Sequence, residues 1–389
     1  MRLLLKIVYR NLKGAGLRTF LNAFALSFSF VIIIFFNGLI DGWNRQARKD
    51  TIEWEYGNGQ LRHADYDPLD PFTLENSFGS IDIEENPHLT PVLLRQGTLY
   101  PNGRMTPVLL YGIDKDQKVI KIPTQKLAAD SNDFIPVIIG SRMAKSTNLK
   151  KGDEVVMRWR DKNGAFDATE VKVVEIFNST VPTIDQSKIW LSIDDLRKLT
   201  SIENKATYFI ADSEFNYKSD KFGNEWEFYD QSNLLNELDQ IIRQKKVSGF
   251  FMYILLMGIA LLAIFDTQVL SVFRRQREIG SYIALGMTRQ SVIALFTLEG
   301  SAYSILALIL GALYGGPLLF LISRIGIGYP ASSQDFGLSV AERIYPVYGF
   351  WLIIITMVTV FISSTIVSYL PTRQITKMDP VAAIKGKIQ

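Results

Sequence analysis

Four long runs without a charge dominate the hydrophobic pattern of the chain. Thr19 to Ile40 has 22 uncharged residues, and Val247 to Phe265 has 19, followed by Asp266 and seven more. Gly300 to Ser323 has 24 and Ile344 to Thr372 has 29. A bilayer core takes roughly 20 apolar residues per helix, so each run predicts a membrane span. The spans are set at 17–42, 247–273, 290–324 and 344–370. The first run is too long for a signal-peptide core and no small-x-small cleavage site follows it, so it is expected to stay as an anchor. It carries a stripe of Phe20, Phe24, Phe28, Val31 and Phe35 at helical spacing, with Asn22, Ala25 and Ser29 on a smaller, more polar side. The third span carries Gly300, Ser304, Ala307, Gly311 and Gly315 at steps of three and four. Small residues in register let helix backbones approach closely. Pro317 predicts a kink just after them.

Between the first two spans, 43–246, the pattern shortens and alternates, which predicts a mixed α/β domain. Strands are expected over Pro91–Tyr100, Met105–Ile113, Ile135–Ile139, Glu154–Trp159, Glu170–Ile176 and Lys188–Leu191. Asp161-Lys162-Asn163-Gly164 supplies a hairpin turn between two of them. Ser141–Asn148 reads as a helix, and Ser192 with Asp195 as a capping box opening another. Asn233–Lys246 is an amphipathic helix feeding the second span, and Tyr56–Phe78 reads as loop.

Charge orients the spans. Residues 1–18 carry five Lys or Arg and no acid, 274–289 carry four, 371–389 carry four, and 325–343 carry one. Positive loops stay inside, so both termini, the 274–289 loop and the 371–389 tail are expected in the cytoplasm. The 43–246 domain and the short 325–343 loop are then outside. The fold class is therefore membrane α-helical: four transmembrane helices, with a large extracytoplasmic α/β domain inserted between helices one and two. Residues 1–16 read as a basic amphipathic helix on the inner interface, or as a solvated lead-in. The net charge of +3 belongs to this inside bias and gives no ground for nucleic-acid binding. With no cysteine, no disulfide supports the outer domain, and its size is sufficient for a core without one.

No enzyme constellation emerges. There is no G-x-x-x-x-G-K-[ST] phosphate loop. The two histidines, His63 and His88, fall in loops, no metal site is expected, and Ser141 has no nucleophile elbow. Asp266 and Glu299 sit near the inner ends of spans two and three. Ionisable groups there are costly and often functional. The plainer reading pairs them with Arg18, Arg274 or a helix terminus, and no chain of carboxylates continues across the bilayer as a proton relay.

The segment 274–300 joins spans two and three. Ile279, Tyr282 and Ile283 share one face of a short helix, Gly286 can end it, and Thr288 can cap the next. Such a helix is a tight turn, an interfacial helix, or a coupling helix gripped by a cytoplasmic partner. The pattern Arg275-x-Arg277-Glu278-Ile279-Gly280, Ala284-Leu285-Gly286-Met287-Thr288 and Glu299-Gly300 resembles the signature of FtsX-like/MacB-like ABC transporter permeases. The resemblance implies docking on a separate ATPase through Arg274, Arg275, Arg277, Glu278, Ile279, Gly280, Tyr282, Ile283, Gly286, Met287 and Thr288.

Within 43–246, further words resemble the lipoprotein-releasing (LolC/LolE-type) permeases. They are Val108-Leu109-Leu110-Tyr111-Gly112-Ile113-Asp114, Ile139-Gly140-Ser141-Arg142-Met143-Ala144, Leu149-Lys150-Lys151-Gly152-Asp153-Glu154-Val155, and Asp185 ahead of Ile189-Trp190-Leu191. One permease of that family has a long hook hairpin where this chain has only Asp161–Thr169. The resemblance implies a bacterial inner-membrane permease with no catalysis and no cofactor of its own. ATP and Mg sit on a cytoplasmic ATPase dimer. A second permease copy or homologue, membrane lipids and a periplasmic lipoprotein carrier are the other partners. Mechanotransmission would extract lipoproteins from the outer leaflet, through a cavity lined by Phe28, Val31, Ile32, Phe35 and Phe36. MacB-like efflux of peptides or drugs, or FtsX-like signalling without transport, are the alternatives.

Overall fold

The structure, a computed structural model, describes residues 7–8, 10–11, 16–128, 134–217, 222–328 and 343–377. Most of the helix expected over 1–16, most of the 325–343 loop and the tail beyond 377 lie outside the described residues. The chain divides into two compact units. One comprises Met1–Trp43, Ile241–Ile327 and Tyr345–Gln389, the other Asn44–Gln240 and Gly328–Ile344.

Among the described residues, four helices are long and apolar enough to cross a membrane. The first is Leu17–Thr51 and the second Asn236–Arg274, which absorbs the amphipathic stretch expected before it. The third runs Arg289–Leu310, widens into one π turn over Gly311–Gly315, and continues as Gly316–Ile325. The fourth is Phe350–Thr372. The π turn lies just ahead of Pro317, whose ring would clash with the carbonyl four residues back in a regular helix.

The core of this unit joins Leu26, Phe30, Ile33 and Ile34 to Met257, Ile264, Ala307 and Val360. The small residues of the third helix face inward. A Cβ on Gly315 would come 2.4 Å from Val31 Cγ2, and one on Gly300 2.2 Å from Ser368 Oγ. Ser304 and Ala307 are fully buried. The fourth helix answers with its own ridge of Val360, Ser364, Ser368 and Thr372, all buried at steps of four. Thr297 Oγ1 and Thr372 Oγ1 lie 3.0 Å apart.

Adjacent glycines give a sharp test of this packing. A Cβ on Gly316 meets nothing within 4 Å. Gly315→Ala is expected to destabilise the helical unit by about 1–3 kcal/mol, the usual cost of overpacking. Gly316→Ala should be neutral or slightly stabilising. Thermal unfolding of both variants in detergent checks this, and equal melting points would refute the assigned interface.

The second unit is a nine-stranded mixed sheet in the order β3-β7-β4-β6-β5-β2-β8-β1-β9. Its strands are β1 (Gly59–His63), β2 (Leu89–Leu99), β3 (Thr106–Ile113), β4 (Ile135–Gly140), β5 (Glu154–Arg160), β6 (Phe166–Phe177), β7 (Lys188–Ser192), β8 (Tyr208–Ala211) and β9 (Trp226–Asp230). Because β3 also pairs with β2, six strands close on themselves. Both faces of the central strands are buried. Leu93, Val137, Ile139, Ile189 and Leu191 enter one core, and Leu94, Ile138 and Trp190 enter another. This accounts for the unbroken apolar runs in β4 and β7.

Three differences from the sequence reading stand out. The stretch expected as loop contains β1, held between β8 and β9. The hairpin strands run on to pair Arg160 with Phe166, leaving a turn of Asp161–Ala165. There the Asp161 carboxylate accepts from the amides of Asn163 and Ala165, and Gly164 takes φ +85°. The Ile193–Thr200 helix does start after Ser192, but the Ser192 hydroxyl caps nothing. Ser192 is still the last ladder residue of β7, paired with Ile113, so the expected capping box does not form.

Candidate functional sites

The segment between the second and third helices folds as a helix, Gln276–Ala284, after a break at Arg275. Gly286 closes it at φ +95°, and the Thr288 hydroxyl accepts from the Ser291 amide at 3.2 Å to start the third helix. The apolar face turns into the protein. Ile279 is fully buried with Val272, Val292, Phe296 and Ile375, while Tyr282, Ile283 and Met287 pack against that cluster. Gly280 is buried as well.

Arg275 anchors the segment from below. Its Nη1 donates to both Glu299 oxygens, at 2.9 and 3.2 Å, and its Nε donates to Glu278 at 2.7 Å. The guanidinium stands 4.7 Å from the Phe296 ring centre. Glu299 also accepts from the Asn11 amide at 3.0 Å. Its partner is therefore Arg275, while Arg274, which the sequence also suggested, is exposed, and the Arg18 side chain lies outside the described ones. Helical geometry gives the reason: the break at Arg275 swings its side chain back over the third helix. Asp266 is exposed and makes no ion pair among the described residues.

Of the docking residues expected from sequence, Arg274, Arg277, Glu278, Gly286 and Thr288 are exposed. Ile279 and Gly280 are not available at the surface. Leu285 was missed by the sequence reading, although it is 84% exposed. It is a large apolar residue off the Ile279 face, and that offset was the available signal.

The five aromatic and aliphatic residues expected to line a cavity differ in their surroundings within the single chain. Phe28 is exposed together with Phe20 and Phe24. Val31 is buried against Gly311 and Gly315, and Phe36 lies over Gly249. Phe35 packs on the helical core, and Ile32 is half-buried.

In the sheet unit, sequence words far apart converge. Arg142 Nη1 donates to Asp185 Oδ2 at 2.8 Å and to the Ser179 carbonyl at 3.0 Å. The Ser141 hydroxyl donates to the same carboxylate at 3.2 Å. Asp185 is fully buried, and a Cβ on Gly140 would come 1.7 Å from its Oδ1. Burial lifts the Asp185 carboxyl above the ordinary range against the opposing pull of Arg142. The Ser141 hydroxyl is spent on Asp185 and Asn178, so the cluster reads as a buried lock. The Lys150–Asp153 word is a turn, with the Asp153 carboxylate accepting from the Lys150 amide at 2.8 Å.

Neither histidine sits in a loop's solvent alone. His63 ends β1 with its ring 5.4 Å from Trp226, and His88 Nδ1 lies 2.9 Å from Asp212. Among the described residues, no three His, Cys, Asp or Glu side chains gather as a metal site.

Residues 250–380 match the family described as FtsX-like permease C-terminal. No curated protein matches the chain. Among solved structures, the chain is similar to the periplasmic region of MacB from Actinobacillus actinomycetemcomitans, at 10% identity and a TM-score of 0.33, over 47% of this chain and 94% of that one. It is also similar to the extracellular domain of the noncanonic ABC-type transporter YknZ from Gram-positive bacteria, at 14% identity and a TM-score of 0.25, over 47% and 94%.

Proposed function

We propose that this chain is the permease subunit of an ABC transporter and that a separate ATPase docks on the outward side of the Gln276–Ala284 helix. The observation that carries this reading is the family match over 250–380, which includes that helix, the helix after it and the helix before it from residue 250 on. The helix suits the task. Its inner face is pinned by Ile279 and by Arg275 on Glu299, so a push on it moves the second and third helices together. Its outer side offers Arg277, Glu278, Leu285, Gly286 and Thr288. ATP and Mg belong to the ATPase dimer, which sits in the cytoplasm by the positive-inside bias. The sheet unit is then extracytoplasmic, in a bacterial inner membrane, and the permease works as a pair with a second copy or a homologue.

Lipoprotein extraction from the outer leaflet is the substrate reading. It is supported by the sequence words in the sheet unit and by the exposed Phe20, Phe24 and Phe28 stripe, which suits acyl chains. The turn at Asp161–Ala165 is too short to act as a hook, so a periplasmic carrier would be recruited elsewhere.

Arg277→Glu combined with Leu285→Asp is expected to abolish co-purification of the ATPase while leaving the melting point of the permease unchanged. Both side chains are exposed, so neither change disturbs the core. Full co-purification of the double variant would remove the docking assignment. Photo-crosslinkers at Phe24 and Phe28 that capture only phospholipid in cells, and never lipoprotein, would remove the substrate reading alone.

A further inference from the structure

The sheet unit carries a groove of about 1220 Å³, lined in part by Val108, Leu109 and the Asp161–Gly164 turn, to which no role has been assigned above. Arg95 of β2 is among the residues lining it and is only 5% exposed. Its Nη1 donates to the carbonyls of Leu74 and Glu75, and its guanidinium stands 4.7 Å from the Phe78 ring centre. Its Nε and Nη2, one edge of the planar fork, have no hydrogen-bond partner. Among the described residues no carboxylate pairs with it, because the nearby Glu75 is engaged by Arg160. Burial pushes Arg95 down to about 10, which still leaves it a cation at neutral pH. Glu75 is near enough to act on Arg95 but is held by Arg160, so the buried Nε–Nη2 edge is left without a hydrogen-bonding partner, and a two-nitrogen edge matches a carboxylate.

The walls point the same way. Arg158 lies 4.2 Å from the Phe166 ring centre and also pairs with no carboxylate among the described residues. Phe72 is 82% exposed and Phe166 65%, both on this groove. Glu75, held by Arg160, and Asp161 also line the groove. Two arginines that make no ion pair among the described residues, beside two exposed aromatics, call for a ligand with both acid and apolar groups. The volume exceeds the roughly 300–1000 Å³ of small-molecule sites, which suits a peptide segment.

We propose that this groove binds an acidic peptide segment, with a carboxylate on the Nε–Nη2 edge of Arg95 and a neighbouring apolar side chain against Phe72 and Phe166. Both nitrogens are covered, so the carboxylate reaches them only if the Pro71–Glu75 turn, anchored by the buried Leu74 and by the carbonyls that Arg95 holds, gives way. The proposal needs neither ATP nor the docking assignment, and it stands or falls separately from them.

The test uses the full chain in discs of zwitterionic lipid, without ATP. The probe is an N-terminally rhodamine-labelled peptide, Leu-Glu-Phe-Glu-Leu, with its Gln-for-Glu counterpart beside it. Binding is read by fluorescence anisotropy against discs lacking protein. The acidic peptide is expected to bind at least tenfold more tightly than the amide version. Arg158→Gln and Phe72→Ala should each weaken it about threefold or more with unchanged melting points, and Arg95→Gln should erase the preference for acid. Should Arg95→Gln fail to fold, the half-buried Arg158 and the exposed Phe72 variants decide the matter. Equal affinity for both peptides, no binding of either, or indifference to Arg158→Gln and Phe72→Ala would overturn the proposal. Displacement of the peptide by equimolar acetate would also overturn it, by reducing the groove to a simple anion site.

Discussion

Arg275→Met is expected to destabilise the helical unit by about 3–5 kcal/mol, the cost of stripping a buried carboxylate of its cation. Glu299 is the group left behind. Its side chain is 7% exposed, and without Arg275 it keeps, among the described residues, the Asn11 amide. The same change removes the guanidinium from the Phe296 ring and frees the N-terminal end of the Gln276–Ala284 helix. ATPase docking should fall with it, but as a consequence of lost order. That separates this variant from Arg277→Glu with Leu285→Asp, where docking falls and stability does not. The double variant Arg275→Met with Glu299→Leu should recover at least 2 kcal/mol of the loss, because replacing both charges of a buried pair by apolar groups is often neutral. Reversible unfolding in mixed micelles gives the four corners of the cycle. Strict additivity of the two single changes would show that the pair is not coupled.

Asp185→Ala should cost the sheet unit a similar amount, about 3–5 kcal/mol. The carboxylate is fully buried and receives Arg142 and Ser141 from the start of one short helix. Removing it leaves the Arg142 guanidinium, 14% exposed, with only the Ser179 carbonyl. It also leaves a cavity under Gly140, which had to be glycine to let Asp185 approach. Asp185→Asn keeps the shape and the acceptor oxygen, so it should cost less than half as much. Thermal unfolding of the full chain, followed by tryptophan fluorescence, ranks the three proteins. If Asp185→Ala melts with the parent chain, the cluster is not the lock described here.

The sequence alone determined the parts whose cause is local. Uncharged runs of membrane length marked four helices, because a bilayer penalises charge wherever it falls along the chain. Short apolar runs, alternating in β5 and β6 and unbroken in β4 and β7, found six of the nine strands in the described sheet, since such runs are a property of the strand itself. They missed β1, β8 and β9, which hold together by pairing with one another across more than 140 residues of chain. The inward turn of the third helix was legible in its small residues, yet their matching ridge, Val360 to Thr372, was not, because Ser and Thr look like nothing in particular until a neighbour covers them. Tertiary structure alone decided which charges pair. Arg274, Arg275 and Arg277 are near-equivalent in sequence, and the helix break at Arg275 is what sends one inward to Glu299 and leaves the others at the surface. It likewise divided the first helix's stripe, turning Val31 into the groove of Gly311 and Gly315 and Phe28 away from it. A helical period fixes which residues share a face, but only the packed neighbours fix what that face meets.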